Sequence, residues 1–135
     1  MPEIIEFDIA HQYSLFEVGI TVEVILQSGP LSVEFDAKID TGSTYCIFAR
    51  HHGEGLDLDI ESGLPVIIGT ATGTFKAFGH ELTLSVLGIE TVATVYFAEN
   101  EHFDRNVLGR TGWLDRMKLG LIDQEGMLFL SEYGK

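Results

Sequence analysis

Leu31-Ser32-Val33-Glu34-Phe35-Asp36-Ala37-Lys38-Ile39-Asp40-Thr41-Gly42-Ser43 is the stretch on which the fold turns. Leu31, Val33, Phe35, Ala37 and Ile39 alternate with polar residues, the period of two expected of a strand with one face in a core. The same parity sets Asp40 on the face opposite the apolar set, at the strand's end. Gly42 then lets the backbone turn and be approached closely, with positive φ open to it. Asp and Ser side chains also bond local backbone, so Asp-Thr-Gly-Ser is by itself a good turn sequence. A carboxylate at a strand end beside two hydroxyls becomes a candidate catalytic acid only through its context.

That context is a succession of short strands. Upstream, Phe16, Val18, Ile20, Val22, Val24 and Leu26 form a period-two stripe, and Gln27-Ser28-Gly29-Pro30 turns it into the strand ending at Asp40. Residues 46–56 read as a short helix or irregular loop ending near Gly53 or Gly55. Next, Ile67-Ile68-Gly69-Thr70-Ala71-Thr72-Gly73-Thr74-Phe75 reads as an apolar strand, a small-residue tip and a returning strand. Residues 81–87 alternate again, and residues 91–98 are rich in β-branched side chains. Asn106-Val107-Leu108-Gly109-Arg110 then leads into a helix-like stretch with Trp113, Leu114 and Met117 on one face. Leu119 to Leu130, broken by Asp123-Gln124-Glu125-Gly126, reads as a closing hairpin. The expectation is one all-β domain over residues 1–135 with one or two short helices.

Composition excludes several classes. A chain of 135 residues buries roughly two-thirds of its unfolded surface as one domain. Its 45% apolar content rules out disorder. Cys46 is the only cysteine, so no intrachain disulfide or thiolate metal cluster is available. The acidic start, Met1-Pro2-Glu3-Ile4-Ile5-Glu6, lacks the positive region of a signal peptide, and no apolar run approaches the roughly 20 residues of a membrane span. The reading is a cytoplasmic protein without membrane partners. With 21 acids against 8 bases and a net charge of −13, the chain would repel phosphate backbones, which excludes nucleic acid as a partner.

Three segments in order, the strand into Asp40-Thr41-Gly42-Ser43, the glycine-bearing hairpin and Val107-Leu108-Gly109-Arg110 before a short helix, make residues 33–121 resemble the retropepsin-like aspartic proteases. The resemblance implies a retropepsin-like acid-protease barrel or sandwich. It also implies hydrolysis of a protein or peptide substrate by a water held between two carboxyls, one ionised and one protonated, with no cofactor and no metal. The aspartic-protease dyad is the standard worked case of two close carboxyls sharing a proton. Only one Asp-Thr-Gly-Ser is present, so the second carboxylate must come from a partner chain, and a homodimer is required. By resemblance Asp40 is catalytic. Thr41 donates across the dimer axis, Gly42 frames the substrate backbone, and Ser43 hydrogen-bonds the outer oxygen of Asp40. Ile68, Gly69, Thr70, Ala71, Thr72, Gly73, Thr74 and Phe75 form a flap over the substrate, and Leu108, Gly109 and Arg110 support the site.

The chain departs from the viral members of that family at Thr44. An acid usually stands there and pairs with the Arg of the Gly-Arg segment, so Arg110 needs another partner or none. Residues 1–13 are an added lead-in, placed at an interface or in the groove. The alternative function is a non-catalytic module of the same fold, for dimerisation or peptide binding. Other clusters read as ordinary surface or core. His51 and His52 are expected to point apart, the acidic loop at 99–104 to be solvated, and Cys46 to be a small buried hydrophobe.

Overall fold

The computed structural model describes residues 1–134. The first strand is β1 (Ile9–Gln12), and the alternating stretch that follows folds into a hairpin of β2 (Thr21–Ser28) and β3 (Leu31–Ile39). Its two-residue loop, Gly29-Pro30, has Gly29 at φ +58, the arrangement that a tight turn between twisted strands requires. The chain continues through β4 (Ile47–Phe48), the helix α1 (Arg50–Glu54), β5 (Leu64–Thr70) and β6 (Gly73–Val86). It ends with β7 (Ile89–Ala98), β8 (Val107–Leu108), β9 (Met117–Ile122) and β10 (Met127–Glu132). The chain is mostly β, as its alternation predicts.

Seven strands form one sheet in the order β2-β3-β8-β4-β7-β6-β5, and β2 also pairs with β6. That extra pairing, with Val24 opposite Val86 and Leu26 opposite Leu84, closes the sheet on itself and leaves β5 outside the ring as an edge. All four residues at this seam are fully buried, and each contributes about 2 kcal/mol of apolar burial. Phe48, Phe97, Leu108 and Trp113 fill the interior beside them. The second sheet is antiparallel, β1-β10-β9, with Leu128 and Leu130 facing the core. Residues 9–12 are therefore a strand paired to β10. Tyr13 adds an N–H bond to the Gly126 carbonyl and a hydroxyl bond to Asp123 at 2.5 Å.

Two local expectations change. The apolar stripe does not begin at Phe16: residues 15–19 form a turn, with Ser14 Oγ accepting the Phe16 N–H and Gly19 at φ +84. Phe16 and Val18 project into solvent, 101% and 82% exposed. The helix around Trp113 is a single 3-10 turn, Leu114–Arg116, and Met117 already opens β9. Gly112 at φ +97 enters the turn, and three residues cannot repay the cost of nucleating a helix.

The β6–β7 loop is Leu87-Gly88, both at positive φ, at +51 and +83. Leu87 keeps its strained backbone because its side chain packs against the core. A Cβ on Gly88 would meet no atom within 4 Å, so Gly88→Ala should cost only the backbone term, about 1–2 kcal/mol. A urea-unfolding midpoint lowered by that free energy divided by the slope, with the slope itself unchanged, is the expected result.

Candidate active site

Asp40 directly follows β3, and its backbone is held on three sides. Its N–H donates to the Leu108 carbonyl at 2.9 Å, its carbonyl accepts the Ser43 N–H at 3.1 Å, and its Oδ1 accepts the Gly42 N–H at 2.9 Å. The result is a β-turn reinforced by the side chain, with the carboxylate exposed. Gly42 does not use positive φ. Its lack of a side chain matters for proximity instead, because a Cβ would sit 3.2 Å from Asp40 Oδ1.

Residues 107–111 run alongside this turn. The Arg110 N–H donates to the Ser43 carbonyl at 2.9 Å and the Thr111 N–H to the Thr44 carbonyl at 2.8 Å. Gly109 passes so close that a Cβ would lie 2.2 Å from the Tyr45 carbonyl oxygen and 2.7 Å from that of Ser43. Beneath this crossing the Cys46 thiol is fully buried, and burial pushes its pKa up to about 11, as suits a small hydrophobe and not a nucleophile.

Ser43 differs from the expectation. Its hydroxyl donates to the Tyr45 carbonyl at 2.8 Å and not to the outer oxygen of Asp40, because the turn directs it into the backbone of the next residues. The Thr41 hydroxyl is exposed and, among the described residues, has no hydrogen-bond partner within the chain. Arg110 is likewise exposed and has no ion pair among the described residues.

A groove of about 660 Å³ opens beside Asp40. Its walls carry Glu17, Asp36, Lys38, Asp104 and Arg105, and no residue of the 68–75 hairpin. The loop at 99–106, of which residues 99–104 read from sequence as solvated surface, therefore supplies part of this wall. It also reaches the hairpin, where Phe103 stacks on Phe75 at 4.8 Å. Asn106 is the residue that sequence reasoning undervalued. Its Oδ1 accepts the Ala49 N–H, its Nδ2 donates to the Asp36 carbonyl, and its own carbonyl accepts the Lys38 N–H, tying β3, the start of α1 and β8 together. An Asn before an apolar pair gives no sign of that role.

Ile68 pairs with Phe75, Gly69 with Thr74 and Thr70 with Gly73, so the expected flap is a regular hairpin turning at Ala71-Thr72. Thr70 Oγ1 donates to the Gly73 carbonyl at 3.0 Å, and Gly73 takes φ +152. Most of the tip is exposed, and Gly69 has nothing within 4 Å of where a Cβ would be. Such an arm opens at little cost. Hydrogen exchange at residues 69–74 should be fast in the free protein and slow once a peptide-like inhibitor is bound, and strong protection in both states would mark a purely structural hairpin.

His51 and His52 do not point apart: their rings lie 4.0 Å from each other, and His52 stacks on Phe35 at 3.9 Å. Among the described residues no three His, Cys, Asp or Glu side chains are grouped to hold a metal. His80 bonds the Ile60 carbonyl at 3.0 Å. Burial first, and the neighbouring His51 second, lower the His52 pKa to about 4. A histidine kept neutral when folded but titrating near 6.5 when unfolded gives stability that is complete above pH 6.5 and lost as pH falls toward 4. The wild type should lose roughly 1 kcal/mol more over that window than His52→Phe, once solvent screening is allowed for. Unfolding midpoints of both proteins between pH 7 and 4 check this.

No family model and no curated protein sequence matches the chain. Among the described residues no helix is long and apolar enough to cross a membrane.

Proposed function

We propose that the chain is a retropepsin-like aspartic endopeptidase that works as a homodimer, with one water held between its two Asp40 carboxyls. The observation that carries this reading is the Asp40 turn, an exposed carboxylate that accepts the Gly42 N–H on a backbone held by Leu108 and Ser43 and braced by the 107–111 segment. General acid–base work needs such a group held still yet reachable.

In this reading one carboxylate takes the water's proton while its protonated twin polarises the scissile carbonyl, and the pair titrates as a unit. Thr41, whose hydroxyl has no hydrogen-bond partner among the described residues, would bond across the two-fold axis. An extended peptide would lie against Gly42, held by backbone hydrogen bonds and covered by the 68–75 hairpin. The single buried thiol suits a cytoplasmic protein, where thiols stay reduced. The second reading, a non-catalytic dimerisation or peptide-binding module, is favoured by the Ser43 hydroxyl being committed to Tyr45.

Asp40→Asn separates the two. It should lower peptide hydrolysis roughly a thousandfold or more while leaving circular dichroism and melting unchanged. Wild-type activity should fall as pH rises and the shared proton leaves, and it should fall on dilution as the dimer dissociates. Unchanged turnover in the variant would remove Asp40 from the chemistry, and retained peptide binding with no turnover in either protein would leave the binding module.

A further inference from the structure

We infer that Phe103 is a positioning residue: its stack on Phe75 makes the 68–75 hairpin and the wall of the groove beside Asp40 move as one unit. The coupling does not depend on the chemistry of Asp40; only its service to a bound peptide rests on the peptidase reading.

Hairpin and wall leave the sheet at the same rung. Ala77 pairs with Ala98, where β7 ends, and just beyond them the Glu99 N–H donates to the Lys76 carbonyl at 2.9 Å. From there β6 continues against β5 alone, and the chain after Ala98 becomes the 99–106 loop. Among the described residues, the stack on Phe103 is the one hydrogen bond or ring contact that joins residues 68–75 to anything outside β5 and β6. The two rings lie 4.8 Å apart and 29° from parallel. Both are half-buried, whereas Thr74, Lys76, His102 and Asp104 beside them are exposed. Two rings that shelter each other in otherwise exposed segments hold those segments together by more than their shared area.

The loop is fixed at both ends and free between them. At its start the Glu99 carbonyl accepts from Arg50 Nη1 at 3.2 Å. Asn100 then closes a turn, its Oδ1 accepting the His102 N–H and its carbonyl the Phe103 N–H. At the far end Asn106 bonds Ala49, Asp36 and Lys38. Only Asp104 and Arg105 separate Phe103 from that anchor, and both line the groove. Neither has an ion pair among the described residues. Two residues span at most about 7 Å, so on this side a shift of Phe103 is taken up by those two. No residue of the hairpin lines the groove itself, and the stack is therefore the route between them. Such coupling is reciprocal: a groove filled against Asp104 and Arg105 biases the hairpin by the same factor as the hairpin biases binding in the groove.

Pulsed amide exchange and amide NMR shifts of the free, full-length chain test the coupling without any activity assay. Phe103→Ala and Phe75→Ala should each speed exchange at residues 69–74 roughly threefold to tenfold, and the double variant should exchange no faster than either alone. Phe103→Tyr, which keeps the ring, should stay within about twofold of wild type. Phe75→Ala should also displace the amide signals of Asp104 and Arg105, while unchanged exchange in β2 and β7 shows that the fold is intact. Additive effects in the double variant, exchange at 69–74 untouched by Phe103→Ala, or Asp104 and Arg105 signals unmoved by Phe75→Ala would each overturn the inference. If the variants show coupling and Asp40→Asn leaves turnover unchanged, the peptidase reading fails and the coupling stands. If peptides are cleaved and Phe103→Ala is silent in exchange, the coupling fails and the peptidase reading stands.

Discussion

The structure depends on one close approach of backbone to backbone. Gly109 lies against the carbonyl oxygens of Ser43 and Tyr45, where no side chain fits. Because the two segments can pass at that distance, the bonds from Asp40 to Leu108, Arg110 to Ser43 and Thr111 to Thr44 all form together. Cys46 and Gly109 are 63 positions apart, so this crossing converts a remote sequence relation into a rigid local frame. Leu108 and Trp113 enter the core on one side of the frame, and Asp40 is presented to solvent on the other. Core and candidate site are therefore two faces of a single constraint.

If the proposed chemistry holds, the interior and the site would make opposite demands on acidity. Two carboxyls sharing a proton work best where one stays protonated, which favours acid conditions. The neutral imidazole of His52, stacked on Phe35 of the strand that delivers Asp40, favours the other direction. Partial protonation of the 21 surface acids would meanwhile ease repulsion between chains. Under the proposed reading, a working pH would be set by where these three trends cross, not by Asp40 alone.

The strands were legible because alternation is a local signal: residues 31–39 and 81–86 show their buried face in the sequence itself. Where alternation continued without a sheet partner, as at Phe16 and Val18, the pattern misled, since periodicity records what a strand would bury and not whether one forms. The Trp113 segment misled for the complementary reason: its apolar spacing serves a turn pinned by Gly112 and Asp115 that buries Trp113 and Met117 on either side of it, too short to propagate as helix. Asp40 could be singled out, but the acceptor taken by the Ser43 hydroxyl and the three-way bonding of Asn106 depend on geometry set only in the folded chain. The closure of β2 onto β6 was likewise invisible, because strand order across a sheet leaves no trace in either strand's composition.

The small sheet has a consequence for the order of events during synthesis. The strand partner of β1 is β10, and the Asp8 N–H bonds Ser131 Oγ across 123 positions of chain. At ribosomal rates of about 5–20 residues per second, β1 waits roughly ten seconds for β10 to be made. Phe7, whose ring meets Phe129 and Gly120 in the finished molecule, stays uncovered for that interval. The β2–β3 hairpin, by contrast, can form almost as soon as it emerges. Nascent chains of this protein are accordingly most vulnerable to capture by chaperones or to misassociation around β1, until β10 emerges to pair with it.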